Sequence, residues 1–216
     1  MKLTKDVFTD QGGYSPMSLS RFMGSIAGFV TWGLLMTFIM ATNFAPPNPG
    51  LLFIIGVGLV IPIIGIFVST NDNLFISFLG YNMITIPFGL CMGWINASVE
   101  STIVQDAVTI TLLVSVIMGS LGIMFPRVFE KIGGFLFYAL LGLIIVRILQ
   151  IFIPALQHLT VIDYISAGIF SLYIGYDMHR ATVVSRTIEN ALHVSISLYL
   201  DIINLFMSIL GILDKD

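Results

Sequence analysis

Seven stretches of about 20 mainly apolar residues run through this chain, near 20–43, 51–69, 74–95, 103–125, 133–153, 160–178 and 192–213. A helix of ~20 residues is about 30 Å long, the thickness of the hydrocarbon core of a bilayer. Such segments leave little choice of fold, because lipid offers no partners to backbone N–H and C=O groups and each segment must satisfy its own. With 57% hydrophobic and 10% charged residues, and a mean hydropathy of +1.01, the chain cannot cover a water-soluble surface of its size. The expected fold class is therefore an all-α membrane protein with seven transmembrane helices in a single domain over 20–216, after a flexible polar tail over 1–19.

The breaks between runs carry turn-forming or polar residues: Pro46 to Gly50, Asn71 to Asn73, Asn96 to Thr102, Pro126 to Lys131, Pro154 to His158 and His179 to Asn190. The first run is longer than the ~7–15 apolar residues of a signal-peptide core, so it is read as a retained helix. Orientation follows from Lys and Arg in short loops, which favour the cytoplasm. An inside N-terminus places Lys2, Lys5, Arg21, Arg127, Lys131, Arg180 and Arg186 on the cytoplasmic side and only Lys215 outside, with Arg147 inside the fifth helix. The expected topology is thus N-terminus in and C-terminus out, opposite to that of seven-helix signalling receptors. Gly24-x-x-x-Gly28 and Gly89-x-x-x-Gly93 predict close helix packing, within the bundle or between copies. Pro62 and Pro87 predict kinks in the second and third helices. The net charge of −3 gives no reason to invoke nucleic acid, and the single cysteine, Cys91, excludes an intrachain disulfide.

Two carboxylates interrupt this apolar pattern. An Asp at the centre of a membrane helix costs roughly 2.5–3.5 kcal/mol on insertion scales, and Asp177 and Asp201 lie in consecutive helices. On the seventh helix His193, Ser197, Asp201, Asn204 and Ser208 follow a spacing of three and four residues, hence one face. A polar stripe of this kind faces the bundle interior or a water-filled cavity, so the last helix should be central; its plain alternative is a set of interhelical hydrogen bonds. On the sixth helix Asp163, Ser166, Phe170, Tyr173 and Asp177 form a similar line, its two carboxylates ~21 Å apart along the axis. Asp163 belongs to the outer end, with Asp106 and Arg147, so Arg147 either pairs with Asp163 or Asp106 or snorkels to the interface. If the carboxyls of Asp177 and Asp201 meet, both cannot ionise cheaply, and the pair shares a proton over some range of pH. His193 offers a second titration, whereas His158 and His179 read as interfacial loop residues.

At these residues the chain resembles the Bax inhibitor-1 family, also called the transmembrane Bax inhibitor motif family. The resemblance rests on Phe170-Ser171-Leu172-Tyr173-Ile174-Gly175-Tyr176-Asp177 and on Ser197-Leu198-Tyr199-Leu200-Asp201-Ile202-Ile203-Asn204-Leu205-Phe206. It implies a seven-helix fold around a central last helix and, in bacterial members, a pH-sensitive calcium leak. At the matching positions it implies Asp177 and Asp201 as the paired aspartates that sense pH and transiently meet calcium. Similar bacterial members carry an acidic residue in the second helix and a basic one near its end; here 51–69 has no ionisable residue. Asn71, Asp72 and Asn82 are the candidate substitutes.

Three functions compete on the sequence. The first is a calcium-permeable leak channel gated by the aspartate pair, with Tyr173, Ser197, Asn204 and Ser208 along the path and calcium as the permeant ion. Calcium accepts carboxylate, hydroxyl and amide oxygens. The second is a non-conducting regulator that binds a membrane protease or stress factor. The third, an intramembrane aspartyl protease, has Tyr176-Asp177 in its favour; against it, Leu198-Tyr199-Leu200 precedes Asp201 where Gly-x-Gly belongs, and Pro154-Ala155-Leu156 comes before both aspartates instead of after. The expectation is a non-enzyme without cofactor, in the cytoplasmic membrane of a bacterium, whose partners are lipid and calcium ions.

Overall fold

The computed structural model describes residues 17–44, 46, 49–157 and 159–215; most of the tail expected over 1–19, and His158, lie outside them. The described chain is helical with short links. Helix α1 spans Leu19–Asn43 and starts at Ser18, whose hydroxyl accepts the Arg21 N–H at 3.3 Å. Helix α2 is continuous through Leu51–Ile55, a π turn at Gly56–Val60, and Ile61–Ser69. Helix α3 spans Leu74–Asn96, capped by the Asn73 side chain, and α4 spans Ser101–Met124. Helix α5 spans Pro126–Phe152 and is followed by a single turn, Pro154–Gln157. Helices α6, Thr160–Val183, and α7, Ile188–Leu213, complete the chain.

Six of these helices are long and apolar enough to cross a membrane unaided; α6 is the exception. Its Asp163, Asp177 and His179 lower its hydropathy, and all three are buried in the protein, where polar residues of membrane helices belong. The molecule is a multi-pass membrane protein.

Helix α7 packs against α1, α3, α4 and α6, while α2 lies on α3 and α5 lies on α6. Over the apolar window of each helix, 56% of α7 is buried against 11% of α5, which places α7 at the centre and α5 at the periphery.

Several boundaries differ from expectation. The segment Pro126 to Lys131, expected as a break, is the first part of α5: proline is pre-organised for a helix start, and Arg127 and Lys131 can reach the interface from a helix as well as from a loop. The link expected over His179 to Asn190 shrinks to 184–187, because α6 continues to Val183 and α7 is already capped at Thr187, whose hydroxyl accepts the Asn190 N–H at 3.2 Å. His179 is consequently a buried helical residue and not an interfacial loop one.

The two prolines are accommodated differently. Next to Pro62 the helix widens into the π turn, with the Ile61 N–H bonded to the Gly56 carbonyl five residues back, so the ladder is reset beside the residue that lacks a donor. Pro87 lies within α3, which continues to Asn96.

The two glycine pairs differ within the bundle. A Cβ at Gly24 or Gly28 would meet nothing, whereas one at Gly89 would collide with Thr37 and Met40 of α1. A close backbone crossing, between Gly122 of α4 and Gly175 of α6, was not signalled by any G-x-x-x-G spacing.

Candidate functional site

Helices α6 and α7 run antiparallel and exchange polar contacts at successive levels. At one end the carboxyls of Asp177 and Asp201 lie within hydrogen-bonding reach of one another. Further along, the Ser166 and Ser208 hydroxyls bond at 2.7 Å, and at the far end Asp163 accepts from Lys215 at 2.8 Å. The three levels follow from the helical repeat: Asp177, Ser166 and Asp163 share one side of α6, and Asp201, Ser208 and Lys215 share one side of α7 and its C-terminal extension.

Both members of the aspartate pair are buried, with relative exposures of 5% and 8%. Asp201 Oδ2 is enclosed and accepts no hydrogen bond from any donor among the described residues. Two ionised carboxylates cannot hydrogen bond to each other, and an unsatisfied buried anion is costly, so this geometry calls for a proton held between them. The Ser197 hydroxyl reaches Asp177 from α7, and Arg180, half-exposed one turn along α6, stands 4.0 Å from Asp177 Oδ1. Tyr173 lies near both carboxyls and meets Tyr176 edge-on at 6.5 Å between ring centroids.

Elsewhere on the α7 stripe His193, Ser197 and Asn204 are partly buried and Ser208 is buried. His193 is one turn from Ser197, and its Nε2 is enclosed without a partner among the described residues. Asn204 donates to the Leu200 carbonyl at 2.7 Å, and Ser208 donates to that of Asn204 at 2.7 Å. The stripe therefore faces α6 through Ser197, Asp201 and Ser208, while Asn204 and Ser208 donate within α7.

At the far end Asp163, 4% exposed, accepts Arg147 Nη2 on Oδ1 at 2.8 Å and Lys215 Nζ on Oδ2 at 2.8 Å. Arg147 Nη1 donates to Gln150 Oε1 at 3.1 Å. Asp106 is exposed on α4 and takes no part in this cluster; α5 packs on α6 and barely touches α4, which decides between the two carboxylates. Nor do Asn71, Asp72 and Asn82 replace the second-helix charges at the pair. Asn71 accepts the Asn73 N–H, Asn82 bridges the Trp32 indole and the Phe78 carbonyl, and Asp72 is exposed.

Two features went unnoticed in the sequence. Lys215 joins the Asp163 cluster, a pairing implied by the sequence reading that put both residues at the same end of the bundle. The opposite face of α7 bears Ser195, which bonds the Ile26 carbonyl at 3.2 Å, and Tyr199, whose hydroxyl meets Thr37 Oγ1 at 2.6 Å. Tyr199 also packs edge-on to Tyr81 at 5.5 Å. These bonds tie α7 to α1 and α3, and their four-residue spacing on α7 was the available signal. Among the described residues no group of three or more His, Cys, Asp or Glu side chains is placed to hold a metal ion. A cation at the pair would draw on two carboxylates and the Ser197 hydroxyl.

A family model described as inhibitor of apoptosis-promoting Bax1 matches residues 19–216. The chain belongs to the Bax inhibitor-1 family. It is 34% identical to Bax inhibitor 1 of Schizosaccharomyces pombe over 58% of this chain and 47% of that protein. It is 28% identical to an uncharacterized protein of Helicobacter pylori strain J99 over 65% of this chain and 60% of the relative. An uncharacterized membrane protein of Vibrio cholerae is 24% identical over 93% of this chain and 86% of its own length. The match to the first two thus spans about half to three fifths of their lengths. In this member of the Bax inhibitor-1 family the aspartate pair is held by Ser197 and Arg180, from α7 and α6 themselves.

Proposed function

We propose that this protein is a pH-sensitive calcium leak of the bacterial cytoplasmic membrane, gated by Asp177 and Asp201. The observation that carries the reading is the meeting of two buried carboxyls from adjacent helices at one end of a polar seam. Sharing one proton, they bridge α6 to α7. With both ionised they repel across a poorly screened interface and attract a divalent cation. Calcium suits the oxygens that the seam offers, namely carboxylate, hydroxyl and amide groups. On this reading the arrangement is the closed one: Asn204 and Ser208 donate to carbonyls of their own helix, and both carboxyls are buried.

Purified protein in calcium-loaded vesicles tests this between about pH 5 and pH 8, a span meant to take the pair from sharing a proton to losing it. Flux should rise as the pair loses its shared proton, and Asp177→Asn with Asp201→Asn should flatten the profile. An unaltered pH dependence in that double variant would falsify gating by the pair. Sodium in place of calcium reads selectivity: flux that does not distinguish the two ions removes calcium from the proposal.

A further inference from the structure

Helix α5 turns one side to the bundle and the other to lipid. Phe129, Leu136 and Leu143, spaced by seven residues, are buried, and over its apolar window 11% of the helix is. Gly134, Tyr138, Leu141, Ile145 and Leu149 lie on the opposite side and are exposed. Tyr138 is the anomaly among them. It is 72% exposed at the middle of Pro126–Phe152, about 10 Å along the axis from Lys131 and about 13 Å from Arg147. Tyrosine in membrane helices belongs at headgroup level, where its hydroxyl is wet.

A hydroxyl in hydrocarbon needs an acceptor, and lipid tails offer none. Two other exposed hydroxyls in membrane helices solve this locally: Thr109 donates to the Gln105 carbonyl at 2.9 Å and Ser120 to that of Val116 at 2.7 Å, both within α4. A phenol holds its hydroxyl too far from its own backbone to do the same. The Tyr138 ring meets that of Phe137 at 5.4 Å between centroids, and its hydroxyl has no hydrogen-bond partner among the described residues. One turn before it stands Gly134, where a Cβ would meet nothing within 4 Å, and the same holds at Gly142 one turn after. Such positions let the backbone of a second helix approach closely and bring carbonyl oxygens within reach. The face thus carries a donor without an acceptor, set between two notches that would admit one. Because knob and notches belong to one helix, two copies satisfy each other at once about a two-fold axis.

We propose that α5 is the contact between two copies of this chain, packed in parallel, with each Tyr138 hydroxyl donating to a backbone carbonyl at the partner's Gly134. Copies inserted the same way round are related by a two-fold axis along the membrane normal, which makes the paired helices parallel. Side chains on a helix lean toward its N-terminus, and this directs Tyr138 to the turn that holds the partner's Gly134. The contact is independent of ion conduction and stands whether or not the protein carries calcium. Subunit counting by single-molecule photobleaching tests it, with labelled full-length protein diluted in vesicles of phosphatidylethanolamine and phosphatidylglycerol. The chain should dimerise, and Tyr138→Phe should weaken the dimer about three- to tenfold, the effect of a hydrogen bond between membrane helices. Gly134→Leu should abolish the dimer while leaving thermal stability equal or higher, since the new side chain meets nothing in the bundle and leucine favours a helix over glycine. Phe67→Leu, on the exposed face of α2, should change nothing. Monomers at every dilution, or dimers that both α5 variants leave intact, overturn the proposal. In native membranes and a Cys91→Ser background, Leu141→Cys should cross-link under oxidation to a second copy; a cross-link to a different protein alone overturns the choice of partner.

Discussion

Asp163 is nearly fully buried and contacts two cations, each with side-chain exposure of 31% to 40%. This asymmetry decides what substitutions do. Losing one cation leaves Asp163 with the other, so Arg147→Gln or Lys215→Gln alone should destabilise by about 1 kcal/mol, the scale of a partly exposed ion pair. Losing both strands a buried carboxylate, for which about 3–5 kcal/mol is the usual cost. The double variant should therefore fall well below the sum of the singles in thermal unfolding of the purified protein. Additive effects would mean that Asp163 reaches water and is not held by the pair of cations. Sequence placed Arg147 and Asp163 near one membrane face but could not choose between Asp163 and Asp106, because both sit early in a helix at the same depth. Only the packing of α5 on α6 separates them.

At the scale of helices, glycine acts where backbones cross. A Cβ at Gly122 would meet the Gly175 carbonyl, and one at Gly175 would meet the Phe129 ring. The first clash is with backbone, which cannot rotate away, so Gly122→Ala should destabilise by about 1–3 kcal/mol or more. Gly24→Ala and Gly28→Ala, open on one side of α1, should be neutral or gain up to about 1 kcal/mol from lower backbone entropy. Thermal melts of the three variants give the ranking; equal stabilities would refute the close α4–α6 crossing. Gly175 is two residues from Asp177, so Gly122→Ala should also disturb the pH profile of flux. Gly24 and Gly28 meet no neighbour within the bundle because Phe22, Ile26, Gly33 and Thr37 are the buried face of α1, and positions two residues off that line point away. A glycine pattern shows that a close approach is allowed, not which neighbour makes it. The inward stripe on α7 was legible because five polar residues in an apolar helix leave only one physical placement. The helix ends around 126 and 184–187 were not, since polar residues occur alike in loops and in helix turns at the interface.

For the whole molecule, the aspartate pair matters according to which compartment it faces. Asp177 is about 10 Å along α6 from the link at 184–187, while Asp163 and its two cations mark the opposite end of the bundle. The excess of Lys and Arg at the Arg127, Arg180 and Arg186 end predicts that this end is cytoplasmic. In a Cys91→Ser background, Ser185→Cys should react with a membrane-impermeant maleimide only after the cells are opened. Ser98→Cys, in the turn between α3 and α4 on the other side, should react in intact cells; both serines are exposed. The reverse pattern would turn the molecule over and make the pair a sensor of external pH. With the expected pattern, acidifying the interior of sealed vesicles that carry the protein in cellular orientation should change calcium flux more than acidifying the outside. The reason is distance: Asp177 is one turn from the half-exposed Arg180, whereas Asp163 lies about 21 Å away along α6.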